Sequence, residues 1–212
     1  GRINQPQIAE QVLAGGQADM CGMTRAMIAD PQMPMKAEAA RFDDTRACVA
    51  CNQACIDHML RGFPISCIQR PETGRELEFG ERGSAALPRR IFVAGGGPGG
   101  MKAAAVAAER GHEVTLYEAS SSLGGQVKLA QLLPGRSEFG GIISNLQREM
   151  ELAGVKVVTN TAVDRDLLDS LAPDAVIIAT GATVNRPPIE GDGEAHIVDA
   201  WQVLNEEVNV GQ

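Results

Sequence analysis

The sequence has no run of lysines or arginines, and its net charge is −8 over 212 residues. Nucleic acids and anionic membranes present phosphate, which calls for clustered cations, so neither is expected as a partner. No apolar run approaches the ~20 residues that a membrane-spanning helix needs. The opening Gly1-Arg2-Ile3-Asn4-Gln5-Pro6 has neither the charged start nor the apolar centre of a secretory leader, and it lacks an initial Met. The expectation is a fragment of a longer, cytoplasmic protein. No internal repeat is visible. His58, His112 and His196 share no spacing with one another or with carboxylates, which leaves them surface or packing roles. With 44% hydrophobic residues the chain can bury a core, in one domain or two.

What is present is a knot of cysteines. Four of the five lie between Cys48 and Cys67, in the spacing Cys48, Cys51, Cys55, Cys67. Clustered thiols without a leader suggest a metal site in a reducing compartment. Three ligands from one curled loop and a fourth from a separate segment suit an iron–sulfur cubane, in which each thiolate takes one iron corner. Structural zinc more often uses two short knuckles. Zinc, a disulfide pairing and unligated thiols remain open on spacing alone. Cys21, the fifth, is expected as a small buried side chain.

Before the cysteines, Pro6 to Ala14 has helical spacing, with Ile8, Val12 and Leu13 apolar. Ala18 to Met23 suits a buried strand, followed by Thr24-Arg25, a polar turn and a helix near Met35 to Ala40. An arginine just past a strand's carboxyl end is where phosphate is often held. After the cysteines, Thr73 to Arg90 dissolves into glycine, proline and charge, and is expected as a surface linker.

A Rossmann-like α/β pattern then opens. Ile91 to Ala94 is a strand, and Gly95-Gly96-Gly97-Pro98-Gly99-Gly100 satisfies Gly-x-Gly-x-x-Gly directly after it. Met101 to Arg110 is an alanine-rich helix, and Glu113 to Tyr117 a second strand ending at Glu118. Gly95 allows a tight turn, Gly97 lets backbone approach a pyrophosphate, and Gly100 lets helix lie close to strand. Glu118 would accept hydrogen bonds from a ribose and repel a 2′-phosphate. Gly124-Gly125-Gln126 is a second place where backbone can meet a ligand. An amphipathic helix follows from Phe139 to Leu152, then a strand from Val155 to Val158. The apolar Asp174 to Ala179 is expected as a strand buried on both faces, running into Thr180-Gly181. Val198 to Asn205 is a last helix.

Together these features resemble the C-terminal part of the iron–sulfur flavoenzymes of the NADH:flavin oxidoreductase class, the 2,4-dienoyl-CoA reductase and trimethylamine dehydrogenase type. That family joins an FMN-bearing (β/α)8 barrel to a [4Fe–4S] loop and then to a Rossmann-like FAD domain interrupted by an NAD(P)H domain. The resemblance implies four segments. Residues 1–45 would end the barrel, with Thr24 and Arg25 in its FMN-phosphate loop. Residues 46–78 would carry the cluster on Cys48, Cys51, Cys55 and Cys67, and 79–90 would be a linker. Residues 91–212 would bind FAD, or ADP, through Gly95, Gly97, Pro98, Gly100, Glu118, Gly125, Gln126, Arg136, Ala179, Thr180 and Gly181.

By the same resemblance NAD(P)H reduces FAD, the cluster relays electrons to FMN, and FMN reduces an unsaturated small-molecule substrate. An amine dehydrogenase or demethylase would instead send electrons outward to an electron-transfer flavoprotein. A rival from another class is a zinc loop beside a nucleotide-binding module without enzymatic activity. The family's catalytic acid and base come from barrel strands before residue 1, and no second Gly-x-Gly-x-x-Gly follows Gly181. The NAD(P)H domain is therefore expected beyond Gln212.

Overall fold

The computed structural model describes residues 2–80, 82–188 and 197–209. His196, the segment Ile189-Glu190-Gly191 and the end at Gly211-Gln212 lie outside the described residues. The first eighty residues contribute short helices: α1 (Pro6–Ala14), α2 (Thr24–Ala29), α3 (Met33–Glu38), α4 (His58–Leu60) and α5 (Glu76–Phe79). The rest alternates: β1 (Arg90–Ala94), α6 (Pro98–Glu109), β2 (Glu113–Tyr117), α7 (Val127–Ala130), α8 (Gly140–Ala153), β3 (Lys156–Val158), α9 (Arg165–Leu171), β4 (Ala175–Ile178) and α10 (Ala200–Leu204).

The four strands form one parallel sheet in the order β3-β2-β1-β4. Parallel neighbours need crossover connections, and the helices supply them. Helix α6 starts with Pro98, whose fixed φ suits a first turn, and buries Gly100, Met101, Ala104, Ala105 and Ala107. Small side chains on that face let the helix lie close to the sheet. Helix α8 buries Ile142, Leu146 and Met150, one per turn, and ends where Gly154 turns left-handed at φ +76°. Val93, Leu116, Met101 and Met150 meet in the centre of the core. Val49, from between Cys48 and Cys51, is buried in the same cluster.

Three expectations are corrected. Residues 18–23 form no strand, and Met20 is 83% exposed. A parallel strand needs neighbours for its N–H and C=O groups, and no described strand runs beside this segment. The Rossmann-like sheet is thus present, whereas no barrel strand forms in residues 2–45; Cys21 is only half-buried. Strand β4 is buried on one side only: Ala175 and Ile177 pack on the core, while Ile178 is 80% exposed. It lies at the sheet's edge, where alternate residues face away from the helices. The stretch after Thr73 is exposed over most of its length and is also tied down at points. Thr73 Oγ1 donates to Ile28 O at 3.3 Å, α5 forms within it, and Arg82 pairs with both Glu72 and Glu109.

A mostly buried ion triad joins the two halves. Glu149 of α8 accepts from Arg46 at 2.5 Å and from Lys102 of α6 at 2.7 Å. Burial alone would raise the Glu149 carboxyl, but the two cations outweigh it and hold the group below its ordinary 4.5. Lys102 is nonetheless lowered, because its ammonium loses more hydration than a carboxylate shared with Arg46 returns. A lowered carboxylate contributes stability that is present above pH 4.5 and is lost as pH falls through the folded value. Glu149→Gln should therefore cost about 3 kcal/mol at neutral pH, and the loss should shrink in acid. Denaturant melts across pH will show a flatter acid limb in the variant.

Candidate functional site

The cysteine loop is curled by two residues in the left-handed region, Ala50 (φ +50°) and Asn52 (φ +59°). A turn of π-helix from Gln53 to Asp57 follows, with Asp57 N–H donating to Asn52 O at 2.9 Å. It presents Cys55. Ser66 N–H donates to Ala54 O at 2.6 Å and brings the Cys67 segment alongside. All four thiols, with Ile28, Val49 and Ile68, line one small cavity. All five cysteines of the chain are free. Among the described residues, no three His, Cys, Asp or Glu side chains are disposed to hold a single metal ion.

Burial raises the thiols of Cys48 and Cys51, and the neighbouring cysteines add to the rise. At Cys48 the N–H of Ala50, 3.4 Å from the sulfur, and the charge of Arg25 oppose it. Such thiols ionise readily only against a bound cation. The floor of the loop is polar and fully partnered: Gln69 donates to Ala47 O at 3.0 Å, and Asn145 of α8 donates to Gln69 Oε1 at 2.6 Å.

Thr24 and Arg25 open α2 and line a separate cleft of about 270 Å³ with Asn4, Gly22, Cys48 and Ala50. Arg25 and Cys48 line the cysteine cavity as well. The two spaces therefore share a wall.

The glycine loop lies at the carboxyl end of β1, next to that of β4. Chain order reverses between these two strands, which is where open α/β sheets leave a crevice for ligands. Gly95 has φ +113°, and a Cβ there would collide with Ala179 O. A Cβ on Gly100 would collide with Gly95 O, so helix and strand touch through this glycine. At Gly97, by contrast, a Cβ would meet nothing within 4 Å.

Glu118 is anchored on both oxygens. Gly96 N–H donates to Oε2 at 2.6 Å, while Ser120 donates to Oε1 from its N–H (2.8 Å) and its hydroxyl (2.7 Å). Burial pushes this carboxyl up, but these bonds outweigh it and the net shift is down. A carboxylate has room for about four hydrogen bonds, so capacity for a ribose remains. Gly125 packs against Gly97 at φ +50°, and Gln126 Nε2 donates to Ala182 O at 3.1 Å, just past Gly181. Pro98 begins α6, and Ala179 N–H donates to Ala94 O at 2.8 Å. Thr180 is exposed beside them. Arg136 stands apart; its guanidinium lies over Phe139, 5.5 Å from the ring centre.

Three contributors escaped the sequence: Ser120 and Gly96, which fix Glu118, and Asn52, which accepts from Arg25 at 2.7 Å. A serine two residues past an acid is a common turn, and could have signalled the first.

The family model described as pyridine nucleotide-disulphide oxidoreductase matches residues 89–208. The chain belongs to that family. The resemblance to iron–sulfur flavoenzymes is also borne out by oxidoreductases that match the chain nearly end to end. It is 38% identical over 207 residues to an NADH oxidase of Thermoanaerobacter brockii, across 96% of this chain and 32% of the relative. It is 40% identical to an N,N-dimethylglycine/sarcosine dehydrogenase of Chromohalobacter salexigens, across 99% of this chain and 31% of the relative. Among solved structures, a 2-naphthoyl-CoA reductase in complex with 2-naphthoyl-CoA superposes with a TM-score of 0.92. It is 36% identical, over 99% of this chain and 32% of the other. This oxidoreductase chain thus spans about a third of the length of its relatives. No described helix is long and apolar enough to cross a membrane.

Two glycine variants separate packing from ligand approach. Gly100→Ala should destabilise the fold by at least 2 kcal/mol, as overpacking against backbone does. Gly97→Ala should leave the melting temperature unchanged and weaken FAD or ADP binding at least tenfold, measured by calorimetry.

Proposed function

We propose that the chain is the electron-transfer portion of an NAD(P)H-dependent flavin and iron–sulfur oxidoreductase that reduces an unsaturated small molecule. The observation that carries this reading is the shared wall: four cysteines lining one cavity, separated by Arg25 and Cys48 from a cleft that Thr24 and Asn4 also line. A zinc ion draws its thiolates to about 2.3 Å, which calls for convergent sulfurs. A cubane spreads its four thiolates over separate irons, and in this reading the four cysteines that line one cavity supply them. When bound, the flavins supply hydride chemistry and the cluster supplies one-electron relay.

The chain's own groups have distinct tasks in this reading. Cys48, Cys51, Cys55 and Cys67 hold the cluster, and the Ala50 N–H stabilises charge on the Cys48 sulfur. Val49, Ile28 and Ile68 keep water from it. The Gly95–Gly100 turn offers backbone N–H groups to a pyrophosphate at the start of α6, and Glu118 accepts from the adenosine ribose. Thr24 and Arg25 meet the FMN phosphate in the cleft, completed by a barrel outside this chain. NAD(P)H and substrate meet parts of the protein beyond these residues. A second reading is favoured by the relative named N,N-dimethylglycine/sarcosine dehydrogenase: an N-methyl amine dehydrogenase of the same architecture. In it the nucleotide site holds FAD or only ADP, and the electron acceptor is a partner flavoprotein.

In the full-length protein, purified anaerobically, each of Cys48, Cys51, Cys55 and Cys67 changed to Ser should lower iron content by more than half. A hydroxyl is a harder and far less acidic ligand. Cys21→Ser should leave it unchanged. Zinc in place of iron, or a ligand role for Cys21, would overturn the cluster reading. Release of ADP rather than FAD on denaturation would overturn the NAD(P)H-dependent reading, which needs FAD in the Rossmann-like site.

A further inference from the structure

We propose that the buried side-chain amide of Gln69 donates a hydrogen bond to a sulfur of the cluster held on the four cysteines and raises its reduction potential. The inference rests on the iron–sulfur reading of the site.

Gln69 is 7% exposed and lines the cysteine cavity beside Cys67 and Ile68. Chemistry fixes which way its amide points. The Ala47 carbonyl can only accept, so the side-chain atoms that meet it, from Gln69 at 3.0 Å and from Asn145 at 3.1 Å, are both nitrogens. Gln69 Oε1 then accepts the second N–H of Asn145 at 2.6 Å. Both lone pairs of Ala47 O are filled, and both hydrogens of Asn145 Nδ2 are used. Gln69 Nε2 also carries two hydrogens, and one goes to Ala47 O. The other has no acceptor among the described residues.

A buried donor without an acceptor is costly, and the cavity that Gln69 lines is bordered by the four cysteines. Hydrogen bonds to the sulfurs are among the influences that set an iron–sulfur potential. In a reductive titration one electron passes from dithionite to the cluster and makes it one unit more negative. Its sulfurs then accept more strongly, so a donor stabilises the reduced form more than the oxidised one. Burial of the amide strengthens that preference. Asn145 supplies the contrast: it bonds the same carbonyl but does not line the cavity. If holding the loop were the whole role, the two amides would be equivalent.

The test uses the full-length enzyme, purified anaerobically, with iron analysis and an EPR-monitored dithionite titration. Gln69→Met keeps the length of the side chain and removes the amide, while Asn145 still partners Ala47 O. The expected result is wild-type iron content with a lowered midpoint potential, and an unmoved midpoint in Asn145→Leu. A second measurement needs no variant. Glutamine labelled with heavy nitrogen in its side-chain amide should show coupling of that nitrogen to the reduced wild-type cluster in pulsed EPR. An unmoved midpoint in Gln69→Met would overturn the proposal. So would an equal shift in Asn145→Leu, since the loop's floor and not the spare N–H would then set the potential. Absence of the nitrogen coupling would overturn it as well, even if Gln69→Met lost its iron. A wild-type protein without iron would instead overturn the cluster reading beneath it.

Discussion

Val49 lies between two cysteines in the chain and inside the core of the parallel sheet in space. Its burial against α8 is the contact on which the rest of the arrangement depends. A four-residue shift of the loop would expose it, at about 1.5–3 kcal/mol for a fully buried valine. Polar bonds from the same helix surround that apolar contact. Asn145 holds Gln69 and Ala47, Arg148 pairs with Asp44 at 2.8 Å, and Glu149 holds Arg46. Within five residues, α8 supports the cysteine loop on one side and packs on α6 and the sheet on the other. The apolar contact supplies affinity, and the hydrogen bonds fix register.

The dinucleotide crevice obeys a different constraint, one of space. Gly95 and Gly100 are glycine because backbone atoms occupy the places where their Cβ atoms would stand. At Gly97 a Cβ would meet nothing within 4 Å. Glu118 is rigid before anything binds, since Gly96 and Ser120 hold both oxygens. A carboxylate fixed in advance loses little freedom on meeting a ribose.

Local signals were legible in the sequence. The glycine turn, β2 and α8 stand where periodicity and punctuation place them, because each element's own residues determine it. Failures came where partners decide. Ala18 to Met23 reads as a strand from its apolar run, but a strand exists only beside another. The run at β4 reads as buried twice over, yet an edge position covers one face. The stretch after Thr73 reads as a surface linker and is mostly exposed, but the Arg82 pairs with Glu72 and Glu109 that anchor it lie too far apart in sequence to be seen there. The cysteine spacing was plain; that Asn52 would reach Arg25 was not, since nothing local links positions 25 and 52. Arg136 lies over Phe139, a contact three positions away that the sequence reading did not consider.

The α8 helix has a consequence for descent. Its inward face belongs to a nucleotide-binding fold, and its outward face to a thiol loop. The two units are therefore not interchangeable parts. A loop transplanted onto another Rossmann-like sheet would bring four cysteines and leave their floor behind. Substitutions along Asn145, Arg148 and Glu149 would have to drift in step with residues a hundred positions upstream, which ties the two segments into one inheritance.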